Sequence, residues 1–254
     1  MSSRLHPAQN AKPASWLQDR IGLDTSLWVV DTVGAGFTAY ARVFHPLGDE
    51  PSAPRWADVA ALHQRVMHPS AEWDHISRPP GTVIPDRPTG RGYPGEPVYG
   101  NLEPVCLEPL CDLLAQHTTT PDHCWFGIWT GWAWLGPPSA TATGDAVLPG
   151  VQTPIDMGPS ERLAVEAPRF SLPMREYLLY EGAVRDALRV ASLEHQSPSL
   201  FWPDDHAWCV ATEIDFDTTL VGGSQRLVDA LERSPQIDAL QIDSEAPFGD
   251  RINT

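Results

Sequence analysis

The residues with the most chemistry in them lie between Asp204 and Asp217. His206 follows two aspartates, Asp204 and Asp205, and an imidazole steadied by a carboxylate can take up and release a proton near neutral pH. Both aspartates equally suit an ordinary turn after Pro203. Farther on, Glu213, Asp215 and Asp217 alternate through a run of strand composition, Trp208–Phe216. Residues two apart on a strand share a face at about 7 Å spacing. Three carboxylates so arranged could hold a hard cation with waters or receive an arginine-rich partner. The solvated face of a half-buried antiparallel strand would carry the same row.

Other patterns are less specific. Trp125 and Trp129 share one face of the run Cys124–Trp129. An exposed aromatic row of that kind stacks on sugars or proline-rich peptides, whereas a buried one is core. Gly34-Ala35-Gly36-Phe37-Thr38-Ala39 matches the glycine fingerprint of dinucleotide-binding proteins, which must open a helix. The residues that follow have strand composition and end at Pro46, so a hairpin is expected and no such cofactor. Gly222-Gly223-Ser224 opens a helix whose free amides could hold an anion, as any such start could. Cys106, Cys111, His117 and His123 have spacings that match no zinc pattern, and the two cysteines should face different sides of a helix. The nucleophile elbow GxSxG, the glycine-rich phosphate loop, HExxH and the kinase signatures do not occur.

These groups need elements to position them. Leu27–Asp31 and Phe37–His45 flank the glycine turn as two strands. Trp56–Met67 places Trp56, Val59, Ala60, His63, Val66 and Met67 on one helical stripe. Pro109–His117 reads as a helix with proline in its first turn and Leu110, Leu113 and Leu114 inward. Cys124–Trp129 and Trp132–Leu135, joined by Thr130-Gly131, read as a hairpin. Glu176–Tyr180 is a strand, Ala183–Leu193 a helix and Trp208–Phe216 the central strand, and Ser224 caps a helix through Arg233. Residues 76–104 form a loop or a lid, and 136–160 an exposed loop. Helices mixed with strands on short turns predict an α+β fold: a mainly antiparallel sheet, three to four helices and long Pro/Gly-rich loops. A single domain over 21–240 is expected, with loosely ordered tails at 1–20 and 241–254.

The segments LFWPDDHAWCVATEIDF (Leu200–Phe216), GFTAYARVFHP (Gly36–Pro46) and CWFGIW (Cys124–Trp129) resemble segments of a family of uncharacterised actinobacterial proteins. That family has no assigned activity, so the resemblance implies no ligand and no site residue.

Composition sets the remaining bounds. Ten tryptophans and 42% hydrophobic residues in 254 supply a sizeable core, and 26 prolines call for long irregular connections. Seventeen basic against 33 acidic residues leave a net charge of −16, which repels nucleic acid and anionic lipid. Such charge favours solubility, cations or a basic partner. Four cysteines in apolar settings, no signal-peptide pattern and no ~18-residue apolar run point to a soluble cytoplasmic protein without a membrane span. The expected function is a non-enzymatic binding protein whose acidic surface engages a basic protein partner, comparable in charge and size to acidic immunity proteins. The alternative is a metal-assisted hydrolase or other enzyme using the Asp204–Asp217 region with His206 as acid–base. A third reading is a carbohydrate or small-molecule binder built on Trp125 and Trp129.

Overall fold

A computed structural model describes residues 5–21, 28–50, 52–82, 95–132, 166–173, 175–194 and 196–247. One sheet runs through it, made of β1 (His6–Pro7), β2 (Ala39–Phe44), β3 (Cys124–Trp129), β4 (Arg169–Leu172), β5 (Arg175–Gly182), β6 (Leu200–Pro203), β7 (Cys209–Thr212), β8 (Thr218–Gly223) and β9 (Ala239–Ile242). The strand order is β1-β5-β3-β6-β7-β8-β2-β9, with β4 also on β5, and each ladder is antiparallel. The helices among the described residues are α1 (Ser15–Gln18), α2 (Val29–Val33), α3 (Trp56–Leu62), α4 (Trp73–Ile76), α5 (Pro104–Ala115), α6 (Asp186–Glu194) and α7 (Gln225–Arg233). The α+β class and the mainly antiparallel sheet are as the sequence predicts. The seven helices exceed the three to four expected.

Strand alternation sorts the core into layers. Cys124, Phe126 and Ile128 of β3 join Leu107, Leu110 and Leu114 of α5, Ala187 and Val190 of α6, and Leu227, Val228 and Leu231 of α7. Trp125, on the opposite face of β3, joins Ala14, Leu17, Val29 and Val33 from the N-terminal segment. Phe44 and Leu47 pack with Trp56 and Ala60 of α3 and with Trp73 and Ile76 of α4. Strands β2, β6, β7 and β8 are buried at every position, because both faces of the sheet are covered.

That double cover corrects several sequence readings. Residues 5–20 are no tail: β1 pairs with β5, and Ala14 and Leu17 are fully buried. Residues 241–247 likewise pack, with Ile242 in β9 and Pro247 bridged to Trp28. Val29–Val33 is a helix whose two end valines are buried four positions apart, so no hairpin forms across the glycines. Gly34 (φ 92°) and Gly36 (φ 95°) lead from that helix into β2, the reverse of the strand–glycine–helix order of a dinucleotide fold. Helix α3 stops at Leu62; Gln64 turns left-handed (φ 58°) and Val66 is 80% exposed, so the apolar stripe ends early. Helix α5 starts five residues before Pro109, on Pro104, and buries both Cys106 and Cys111. Over Cys124–Gly127 the two edges of β3 are taken by β5 and β6, and the strand expected to pair back over 132–135 falls almost wholly outside the described residues. Residues 133–135, with Trp134, the segment 136–160 and the middle of the 76–104 loop lie outside the described residues.

The largest correction concerns the central strand. Alternation holds from Trp208 to Thr212, and the chain then reverses through Glu213–Asp217 into β8. Phe216 N–H donates to Glu213 O (3.2 Å) inside the reversal. Gly100 lies against this turn and donates its N–H to Phe216 O (2.7 Å). Its φ of +68° suits glycine, and a β-carbon there would sit 2.5 Å from Ile214 O. Gly100→Ala is therefore expected to lower the unfolding free energy by more than about 1 kcal/mol, read by urea denaturation. An unchanged midpoint would mean that the 213–217 turn moves freely away from Gly100.

Candidate functional site

The β6–β7 connection holds the groups first singled out. His206 N–H donates to Pro203 O (2.9 Å) and His206 itself is left-handed (φ 54°). This is the pattern of a type I turn followed by a left-handed residue, a place glycine fills at least cost. The imidazole lies flat on Trp16, 4.3 Å between ring centroids and 18° between planes. Trp16 is fixed in turn by the edges of Trp202 and Phe37 and by the Arg20 guanidinium, 5.1 Å from its ring.

The two aspartates do different work. Asp205 accepts from Thr118 Oγ1 (2.8 Å), Thr119 N (2.6 Å), Thr119 Oγ1 (2.7 Å) and Ala207 N (3.1 Å). Burial raises its pKa, but these donors outweigh burial and hold it below the ordinary value. Asp205 thereby ties the hairpin to the 118–120 loop. Asp204 is exposed; its Oδ1 accepts from Trp125 Nε1 (3.1 Å) and its Oδ2 lies 3.9 Å from His123 Nδ1. Neither aspartate hydrogen-bonds the His206 ring, so the expected acid–base pair is not assembled. Burial lowers the His206 pKa against the opposing pull of Asp204, leaving a neutral imidazole at neutral pH.

Asn10, Lys12, Pro13, Ser15, Trp16, Asp204 and His206 line an open cleft of about 380 Å³. Sequence reasoning missed its N-terminal wall by treating those residues as a tail. The helical spacing of Ala14, Leu17 and Ile21, all buried, was the available signal that the segment docks.

The carboxylate row does not exist as a row. Glu213 and Asp215 lie in the turn and both receive Arg175 Nη2, at 2.5 and 3.1 Å. Asp217 is buried and faces Arg42 Nη2 at 3.9 Å. Among the described residues no three His, Cys, Asp or Glu side chains come together to hold a metal ion. Trp125 is 7% exposed and belongs to the core, and Trp129 is half-buried under the Arg175 guanidinium at 5.4 Å, so they present no open stacking row. All four cysteines are free and buried, and burial pushes the Cys106 and Cys111 thiols up to about 12. The chain matches no protein-family profile, no curated protein and no solved structure.

Around Asp217 runs a buried polar seam. His45 Nδ1 is 2.6 Å from Val98 O, and a carbonyl only accepts, so Nδ1 carries the hydrogen. The other nitrogen, in a neutral ring, accepts from Thr219 Oγ1 (2.9 Å), and Thr219 then receives from Thr212 Oγ1 (2.8 Å). The donor direction is fixed: Thr212 to Thr219 to His45 to Val98. Arg42 crosses beside it, donating to Thr218 Oγ1 (3.1 Å) and Pro69 O (3.1 Å).

Burial pulls His45 down from 6.5 to about 4 and pushes Asp217 up from 3.8 to about 6, Arg42 only partly opposing the latter. Below pH 6.5 the unfolded chain gains a proton on His45 that the folded chain refuses, so this term weakens folding as pH falls. Asp217 acts oppositely: between its two values the folded chain keeps a proton the unfolded chain has lost, and stability declines as pH rises. His45→Asn keeps a donor for Val98 O and removes one of the two terms. The stability gap between wild type and variant is expected to widen by about 2 kcal/mol from pH ~4 to ~6 in urea titrations. A constant gap would show that His45 titrates alike in both states.

Proposed function

We propose that this chain is a non-catalytic, cytoplasmic binding protein whose acidic surface engages a basic protein partner. The observation that supports it is the use of arginine within the fold. Arg42, Arg78, Arg169, Arg175 and Arg185 pair with carboxylates of this chain. Arg20, Arg55 and Arg65 donate to its backbone carbonyls. Much of the positive charge is thus held against the chain's own groups, while Asp19, Glu50, Asp122, Asp243 and Glu245 are exposed. With a net charge of −16, a cationic surface approaching this protein is attracted from beyond contact distance. The hydrolase alternative lacks comparable support, since Asp205, Glu213, Asp215 and Asp217 are each engaged by groups of the fold.

The test is capture on the immobilised chain at low salt, followed by reconstitution with each purified basic protein recovered. A stoichiometric complex is expected, weakening roughly tenfold as ionic strength rises from about 0.05 to about 0.3 M. Recovery of no basic protein, or a complex indifferent to salt, overturns the reading.

A further inference from the structure

We propose that the cleft between Asn10–Trp16 and the β6–β7 hairpin binds a small zwitterion carrying a flat ring, a ligand with the size and chemistry of an aromatic amino acid. This inference stands apart from the acidic-surface reading, because it uses one open cleft and both signs of charge.

The walls are built before any ligand arrives. Asn10 Oδ1 accepts from Lys12 N (2.9 Å), and Ser15 Oγ donates to Lys12 O (2.8 Å), which shapes the turn that carries Lys12. Ala14 and Leu17, both 0% exposed, anchor that turn to the sheet. Trp16 and His206 immobilise each other by stacking, and Trp125 holds Asp204 through Oδ1. Binding would therefore freeze few side chains besides that of Lys12, and preorganisation of this kind lowers the entropic cost of association. His206 occupies a left-handed position that glycine takes more easily, and residues kept in such conformations recur at ligand clamps.

The lining chemistry selects the ligand class. Lys12 is the only lysine of the chain, and its ammonium can receive a carboxylate. Asp204 can receive an ammonium through Oδ2 while Oδ1 stays with Trp125. His206 supplies a flat ring with one donor and one acceptor, beside the indole of Trp16. The volume of about 380 Å³ is near the lower end of small-molecule clefts. Charge decides between candidates of similar size: a nucleotide or other net anion is repelled by a protein of −16, whereas a zwitterion carries no net charge to be repelled.

Saturation-transfer NMR and calorimetry on the full chain would test this with L-tryptophan and L-tyrosine. Indole serves as the ring without charges, glycine as the charges without the ring, and adenosine monophosphate as a ring with net negative charge. His206→Gly preserves the turn, Asp204→Asn keeps an acceptor for Trp125, and Lys12→Met leaves the backbone contacts of Asn10 and Ser15 in place. The aromatic amino acids are expected to bind with Kd at or below about 1 mM, with each variant at least about fivefold weaker and, for Lys12→Met, an unchanged Tm. The proposal is overturned if neither amino acid binds saturably, if indole binds as well as tryptophan, if adenosine monophosphate binds more tightly, or if Asp204→Asn and Lys12→Met leave the affinity unchanged.

Discussion

A sheet covered on both faces must settle its own polar groups, and the seam from Thr212 through Thr219 and His45 to Val98 is how this one does so. Strands β2, β7 and β8 have no solvated side on which to place a hydroxyl or an imidazole. Each donor in the seam has an acceptor and the chain ends on a carbonyl, so the ring of His45 stays neutral and no hydrogen is stranded. The seam also stitches elements together: it ties the end of β2 to β8, β8 to β7, and all three to the segment before Gly100. Helices α3 and α4 pack just beyond, with Trp56 Nε1 donating to the backbone oxygen of His45 (2.9 Å).

The acidic turn at Glu213–Asp217 follows the same logic of local compensation. Three carboxylates within five residues repel one another, and the fold places Arg175 against two and Arg42 against the third. Those arginines come from distant strands, β5 and β2, so the charges of the turn are compensated only in the assembled sheet.

Much of the architecture is legible in the residues, and its failures have a common cause. The helix capped by Ser224 and the strands of Cys124–Trp129 and Glu176–Tyr180 stand where periodicity puts them. The candidate site was legible only on one side. Asp204, Asp205 and His206 were visible as a turn with chemistry in it, and the facing wall with Lys12 and Trp16 was not, since the stacking of Trp16 on His206 across 190 positions leaves no local trace. The reversal after Thr212 carries neither Gly nor Pro, and Glu213-Ile214-Asp215-Phe216 alternates as a strand would. What bends it is remote: Arg175, Arg42 and the close pass of Gly100. Trp125 shows the converse, where a residue read as a stacking surface is covered by a segment read as loose.

Strand β2 sits between β8 and β9, and its Arg42 bonds Thr218, 176 positions along the chain. During synthesis the early residues of β2 must wait, edges open, until the much later strands β8 and β9 have emerged from the ribosome. Long-range antiparallel pairing of this kind makes for slow acquisition of the native state and a long exposure of unpaired strand edges. A chain released before β8 therefore leaves β2 without either neighbour, and its two open edges are the kind of surface that chaperones cover.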